Sequence, residues 1–153
     1  MKNLMIGSLA FALAAGVSAA PATAQVTEYE DYEYSDSVTE LTTVRVEPGQ
    51  WDRYLEGLNQ TWVAANEIAK ELGHIEDYGI YANMAPAEGV FHMMLVITFP
   101  GENMQPSRAR YDEFMQAWGE ANMDSSNETV VTLYNEIREI QGTYLLREIE
   151  MTQ

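Results

Sequence analysis

Residues 77–101 read DYGIYANMAPAEGVFHMMLVITFPG, and their pattern decides the fold. Tyr78, Ile80, Ala82 and Met84 alternate with Gly79, Tyr81 and Asn83. That two-residue period predicts a strand over about 77–84. Ala85-Pro86-Ala87-Glu88-Gly89 follows as a turn. Val90 to Phe99 is then nearly all apolar and closes on Pro100-Gly101. A ten-residue apolar run bounded by Gly and Pro reads as a strand buried on both faces. Joined by so short a turn, the two strands form a hairpin.

Working outward, Trp51, Leu55, Leu58, Trp62, Ala65, Ala69 and Leu72 recur at steps of four and three, one stripe of a helix over about 50–72. Gly73 follows where a left-handed C-cap forms most easily. Upstream, Val38–Glu47 is rich in β-branched residues, with Glu40, Thr42, Val44 and Val46 on one face of a strand. Pro48-Gly49 ends that strand and leads into the helix. Downstream, Tyr111, Phe114, Met115 and Trp118 make a second helical stripe ending near Gly119-Glu120. Ser125-Ser126-Asn127-Glu128 has the spacing of a capping box and predicts a new helix start, continued by Val130, Leu133, Tyr134 and Ile137. Gly142 is expected to stop that helix, and Thr143–Glu150 alternates as a last strand whose two faces are ambiguous. No internal repeat is visible residue by residue.

The order is strand, helix, strand, strand, split helix, strand. It predicts an α+β domain over residues 38–153: a ferredoxin-like βαββαβ unit, its four-stranded antiparallel sheet carrying helices on one face. The other face must meet water, a ligand or a second subunit.

The beginning of the chain is an address. Lys2, an apolar stretch from Leu4 to Val17 and Ala22-Thr23-Ala24 before Gln25 have the order of a bacterial signal peptide over residues 1–24. The stretch is too short for a comfortable span, so no stable membrane insertion is expected after cleavage. The expected location is the periplasm or beyond. Residues 25–37 hold five acidic residues and three tyrosines without an apolar face, and are expected to form a disordered leader.

Without Lys2, 7 basic residues face 24 acidic ones, a formal charge of −17. Such a field repels nucleic acid and anionic headgroups. With no cysteine and two histidines, thiol catalysis, thiolate metal sites and a three-histidine zinc site are excluded. No phosphate-binding glycine loop, G-x-S-x-G elbow or H-E-x-x-H helix occurs.

With this element order, the Pro48-Gly49-Gln50-Trp51 lead into the first helix and the split second helix, the chain resembles the dimeric α+β barrel superfamily. The resemblance spans Val38 to Met151. It implies ferredoxin-like subunits that pair sheet to sheet, hence a homodimer. The superfamily includes monooxygenases of quinols and polyketides, haem-degrading enzymes, dye-type peroxidases and stress-responsive proteins of unknown activity. It therefore implies no single chemistry.

By alternation, Phe91, Met93, Leu95, Ile97 and Phe99 should pack under the helices. His92, Met94, Val96 and Thr98 should face outward, beside Thr43, Arg45, Tyr81 and Asn83. His92 is the candidate catalytic residue, as a general base or an axial haem ligand. Arg45, Tyr81, Asn83 and Thr98 are candidate substrate-binding groups around it. His74, Glu76 and Asp77 form a small imidazole–carboxylate cluster that reads as a polar loop, and Trp51, Trp62 and Trp118 read as core. The functional expectation is an exported homodimer holding a small apolar or aromatic molecule between its sheets. The alternative is a cofactor-independent monooxygenase or haem-binding enzyme acting on small aromatic compounds. No pattern in the sequence requires a cofactor.

Overall fold

A computed structural model describes residues 26–152; the segment expected to be a signal peptide lies outside them. In chain order the structure contains β1 (Tyr32–Tyr34), β2 (Val38–Val46), α1 (Trp51–Leu58), α2 (Ala64–Glu71), β3 (Asp77–Ala82), β4 (Met93–Phe99), α3 (Arg108–Trp118), α4 (Glu120–Thr129), α5 (Asn135–Ile137), β5 (Arg138–Leu146) and β6 (Ile149–Met151). A π-helical segment, Asn59–Val63, joins α1 to α2 in one continuous helix, and a second, Val130–Tyr134, joins α4 to α5.

Four strands form one antiparallel sheet in the order β3-β4-β2-β5. With the helices packed on one side, this is the expected ferredoxin-like arrangement. The reason is periodicity. Val44, Val46, Met93 and Leu95 fall on the same side of neighbouring strands, where Tyr54, Leu58, Tyr134 and Ile137 of the helices meet them. Each aliphatic side chain buried there contributes about 1.5–3 kcal/mol. Gly73 ends the first helix in the left-handed region, at φ +70°. Trp118 is buried, and Trp51 and Trp62 pack half-buried against the core.

The structure corrects several expectations. β4 begins at Met93, so His92 precedes the strand. Among the described residues only one face of β4 is covered: Met93 and Leu95 are buried, whereas Met94 and Val96 remain half-exposed. An all-apolar run cannot report how many layers flank it. The second helix breaks at Gly119, which has φ +77°, and α4 starts at once, so Ser125 and Glu128 lie inside it. A glycine in the left-handed region interrupts the helix more forcefully than a capping pattern restarts it. That helix ends at Ile137, and Gly142 lies within β5. There the register shifts, Thr43 facing Gly142 and Val44 facing Ile140, which is a β-bulge.

The leader is also tied down beyond expectation. β1 pairs antiparallel with β6, Tyr32 opposite Met151 and Tyr34 opposite Ile149. Ser35 N–H donates to the Glu148 carbonyl at 2.9 Å, and Thr152 N–H to that of Asp31 at 3.0 Å. Charge composition argues for disorder, but Tyr32-Glu33-Tyr34 alternates, and its partner strand is more than a hundred residues away.

Candidate functional site

The side of the sheet away from the helices is laid out in cross-strand rows. From one end, the rows are Asp77, Thr98, Thr39 and Leu146, then Gly79, Val96, Leu41 and Tyr144, then Tyr81, Met94, Thr43 and Gly142. Beyond them Asn83, His92, Arg45 and Glu139 complete a polar row. Each edge strand carries a glycine two residues before a tyrosine. A Cβ on Gly79 would lie 2.9 Å from the Tyr81 ring, and one on Gly142 would lie 2.7 Å from the Tyr144 hydroxyl. Both rings therefore lie flat over a glycine, and the middle of this face is broad and apolar.

The structure brings some predicted site residues together and separates others. His92, Arg45 and Asn83 share the polar row, with Tyr81 one row inward. Thr98, near the far end of β4, is six residues on from His92, roughly 20 Å at 3.3 Å per residue, and faces Thr39 Oγ1 at 3.3 Å. Arg45 is ion-paired to Glu139 at 2.5 Å. Asn83 braces the β3–β4 hairpin: its Nδ2 donates to the Phe91 carbonyl at 3.0 Å, and its Oδ1 accepts from Ala85 N–H at 3.1 Å. Each of these three groups has a structural partner.

His92 has one too. Its Nδ1 accepts a hydrogen bond from Val46 N–H at 3.1 Å, completing the β2 edge where β4 has not yet begun. In the neutral ring Nε2 must then carry the proton. Iron bound at Nε2 would require Nδ1 to be the protonated nitrogen, opposed to Val46 N–H, so this histidine does not fit an axial haem ligand. A base role would likewise take the lone pair that holds Val46. The His74 cluster disperses: His74 Nε2 meets Glu113 at 3.1 Å, Glu76 accepts from Ser37 Oγ at 2.8 Å, and Asp77 pairs with Lys70 at 2.7 Å.

A different constellation lies on the helical side. An open groove of about 310 Å³ is lined by Leu58, Trp62, Ala65, Phe114, Trp118, Met123 and Val130, with Thr61, Ser126, Tyr134 and Arg138 as its polar members. Its walls are almost wholly apolar. Phe114 and Trp118 stack at 6.1 Å with planes 16° apart, one turn apart on α3. Beneath the groove the two π segments meet, Thr61 and Tyr134 sharing a hydroxyl–hydroxyl bond of 2.7 Å. Thr61 also donates to the Gly57 carbonyl at 2.8 Å. A Cβ on Gly57 would approach Tyr134 Cε1 to 2.9 Å, so glycine there admits the ring. Arg138 donates to the Tyr54 hydroxyl at 3.0 Å and lies 4.5 Å from the centre of the Tyr134 ring. Burial pushes both tyrosine pKa values up, and the Arg138 and Thr61 contacts pull them only partly back. π segments break the regular hydrogen-bond ladder and recur at functional sites.

Sequence reasoning missed Thr61, Tyr134, Arg138 and Tyr54 as site residues. Trp62, Ala65, Phe114 and Trp118 were visible as apolar stripes, but a stripe that fills a core and one that walls a groove read alike. The separation of α2 from α3 decides between them.

No family model and no curated protein matches this chain. Among solved structures it is similar to HapK from Hahella chejuensis, at 14% identity over 72% of this chain and 91% of that one, with a TM-score of 0.45. It is also similar to protein SO0527 from Shewanella oneidensis, at 10% identity over 78% and 99%, with a TM-score of 0.46. A third is a dimeric protein of unknown function and ferredoxin-like fold from Bacteroides fragilis, at 12% identity over 75% and 97%, with a TM-score of 0.41.

Proposed function

We propose that this protein is an exported homodimer that binds a small apolar or aromatic molecule, held within each subunit by the groove between α2, α3 and α4. The groove carries the reading. Its volume lies at the lower end of the range for small-molecule sites, and such sites are apolar with a few polar groups placed to orient the ligand. Trp62, Phe114 and Trp118 supply flat faces suited to one or two fused rings. Thr61 and Tyr134 are held by their mutual bond, so the floor is rigid before a ligand arrives. Export rests on the pattern of residues 1–24. Dimerisation is supported by the uncovered face, where Leu41, Met94, Val96, Tyr81 and Tyr144 form a contiguous apolar area that no other described residue covers. The groove lies away from that face, so ligand binding needs no chamber between the sheets.

The test uses residues 25–153 and naphthalene as probe, read by tryptophan emission and calorimetry. The expected result is saturable binding at one site per chain, weakened at least tenfold by Ala65→Phe, which fills the groove without opening the core. Absence of saturable binding, or full affinity in Ala65→Phe, would overturn the assignment.

A further inference from the structure

A second groove continues from the first. About 350 Å³ in volume, it runs between α2, α3 and the end of β4, and it shares Ala65 and Phe114 with the first groove. The two grooves therefore adjoin on the helical layer, with Ala65 and Phe114 as the waist between them. Ala65 brings only a methyl group, so Phe114 is the bulkier side chain at that waist.

The chambers differ in chemistry. The first is apolar nearly throughout, whereas His74, Asn103, Arg110 and the buried Asn66 line the second. Arg110 donates through one guanidinium nitrogen to the Asn103 and Gln105 carbonyls, and among the described residues no carboxylate pairs with it. Of the neighbouring acids, Asp112 pairs with Arg108, and Glu113 accepts from His74 at the chamber wall without meeting Arg110. A guanidinium has five N–H donors in a fixed fork that matches a carboxylate, so the second chamber holds a cation with donors to spare. The protein's overall negative charge does not cancel this, since charges beyond a Debye length of about 8 Å are largely screened at physiological salt.

Resting on the binding site proposed above, we infer that the ligand is an elongated amphiphile: its anionic head, a carboxylate, lies at Arg110 and its apolar body crosses the Phe114 waist into the Trp118 chamber. A short aromatic probe would occupy only the far end of the trough.

Decanoate, decanol and decyltrimethylammonium, with naphthalene as competitor, test this. Decanoate should displace naphthalene, perturb tryptophan emission, and bind at least tenfold more tightly than decanol or the ammonium analogue. Arg110→Gln should abolish that preference while leaving naphthalene affinity within twofold, which also shows that the variant is folded. Phe114→Trp, narrowing the waist, should weaken decanoate more than naphthalene. Decanoate that displaces naphthalene but ignores Arg110→Gln would mean tail-only binding, and decanoate that needs Arg110 without displacing naphthalene would mean head-only binding. Either result overturns the inference and leaves the apolar site standing. Failure of decanoate to bind at all overturns it outright, and failure of naphthalene as well removes the site itself.

Discussion

At the scale of single residues, His92 shows how position changes the meaning of a side chain. A lone histidine beside the most apolar strand suggests chemistry, yet its Nδ1 does the work of a backbone carbonyl for Val46 N–H. His92→Ala should cost about 1–2 kcal/mol, the value of a hydrogen bond lost with its donor left behind. His92→Asn, whose amide oxygen can accept the same bond, should stay near the parent in urea denaturation. Equal losses in both would remove the bracing role. The tyrosines under the groove predict a pH response. Tyr54 and Tyr134 have folded pKa values above the ordinary 10.0. As pH rises past 10, the unfolded chain therefore loses these protons first and stability falls. Urea midpoints should drop between pH 10 and 11.5, and less steeply in Tyr134→Phe; identical slopes would contradict this.

Among the elements, the two long helices and the sheet were legible because each repeats its period over many residues. The stripe from Trp51 to Leu72 and the alternation from Val38 to Val46 needed no tertiary help. Both π segments escaped notice, since Asn59–Val63 and Val130–Tyr134 carry no distinguishing composition. Their shared feature, the Thr61–Tyr134 bond, spans 73 residues. The β1–β6 ribbon escaped for the same reason. It should behave as a separate, weaker unit, with few buried groups and exposed Ile149 and Met151. Ending the chain after Glu148 should expose residues 26–36 to rapid proteolysis while lowering the unfolding free energy of the remainder by about 1 kcal/mol or less. Cooperative loss of the whole fold would show instead that the ribbon belongs to the core.

For the whole molecule, the sheet's open face is the surface on which assembly turns. Val96 sits in its middle rows beside Leu41 and Gly79. Placing Lys there buries an unpaired charge in any sheet-to-sheet dimer, and breaking such a surface costs several kcal/mol. Val96→Lys should therefore raise the dimer dissociation constant about a hundredfold or more in light scattering, with naphthalene affinity unchanged. A dimer of undiminished strength would place the contact elsewhere. The division between chain and fold follows from range. Local period, turn residues and charge were enough, by themselves, to determine the βαββαβ order, the one-sided helical layer and the expectation of export, because each is written within a dozen neighbouring residues. Which apolar stripe became a core and which a groove, where His92 spends its lone pair, and that the two ends of the domain join were decided only by tertiary structure, because each depends on partners brought together from distant parts of the chain.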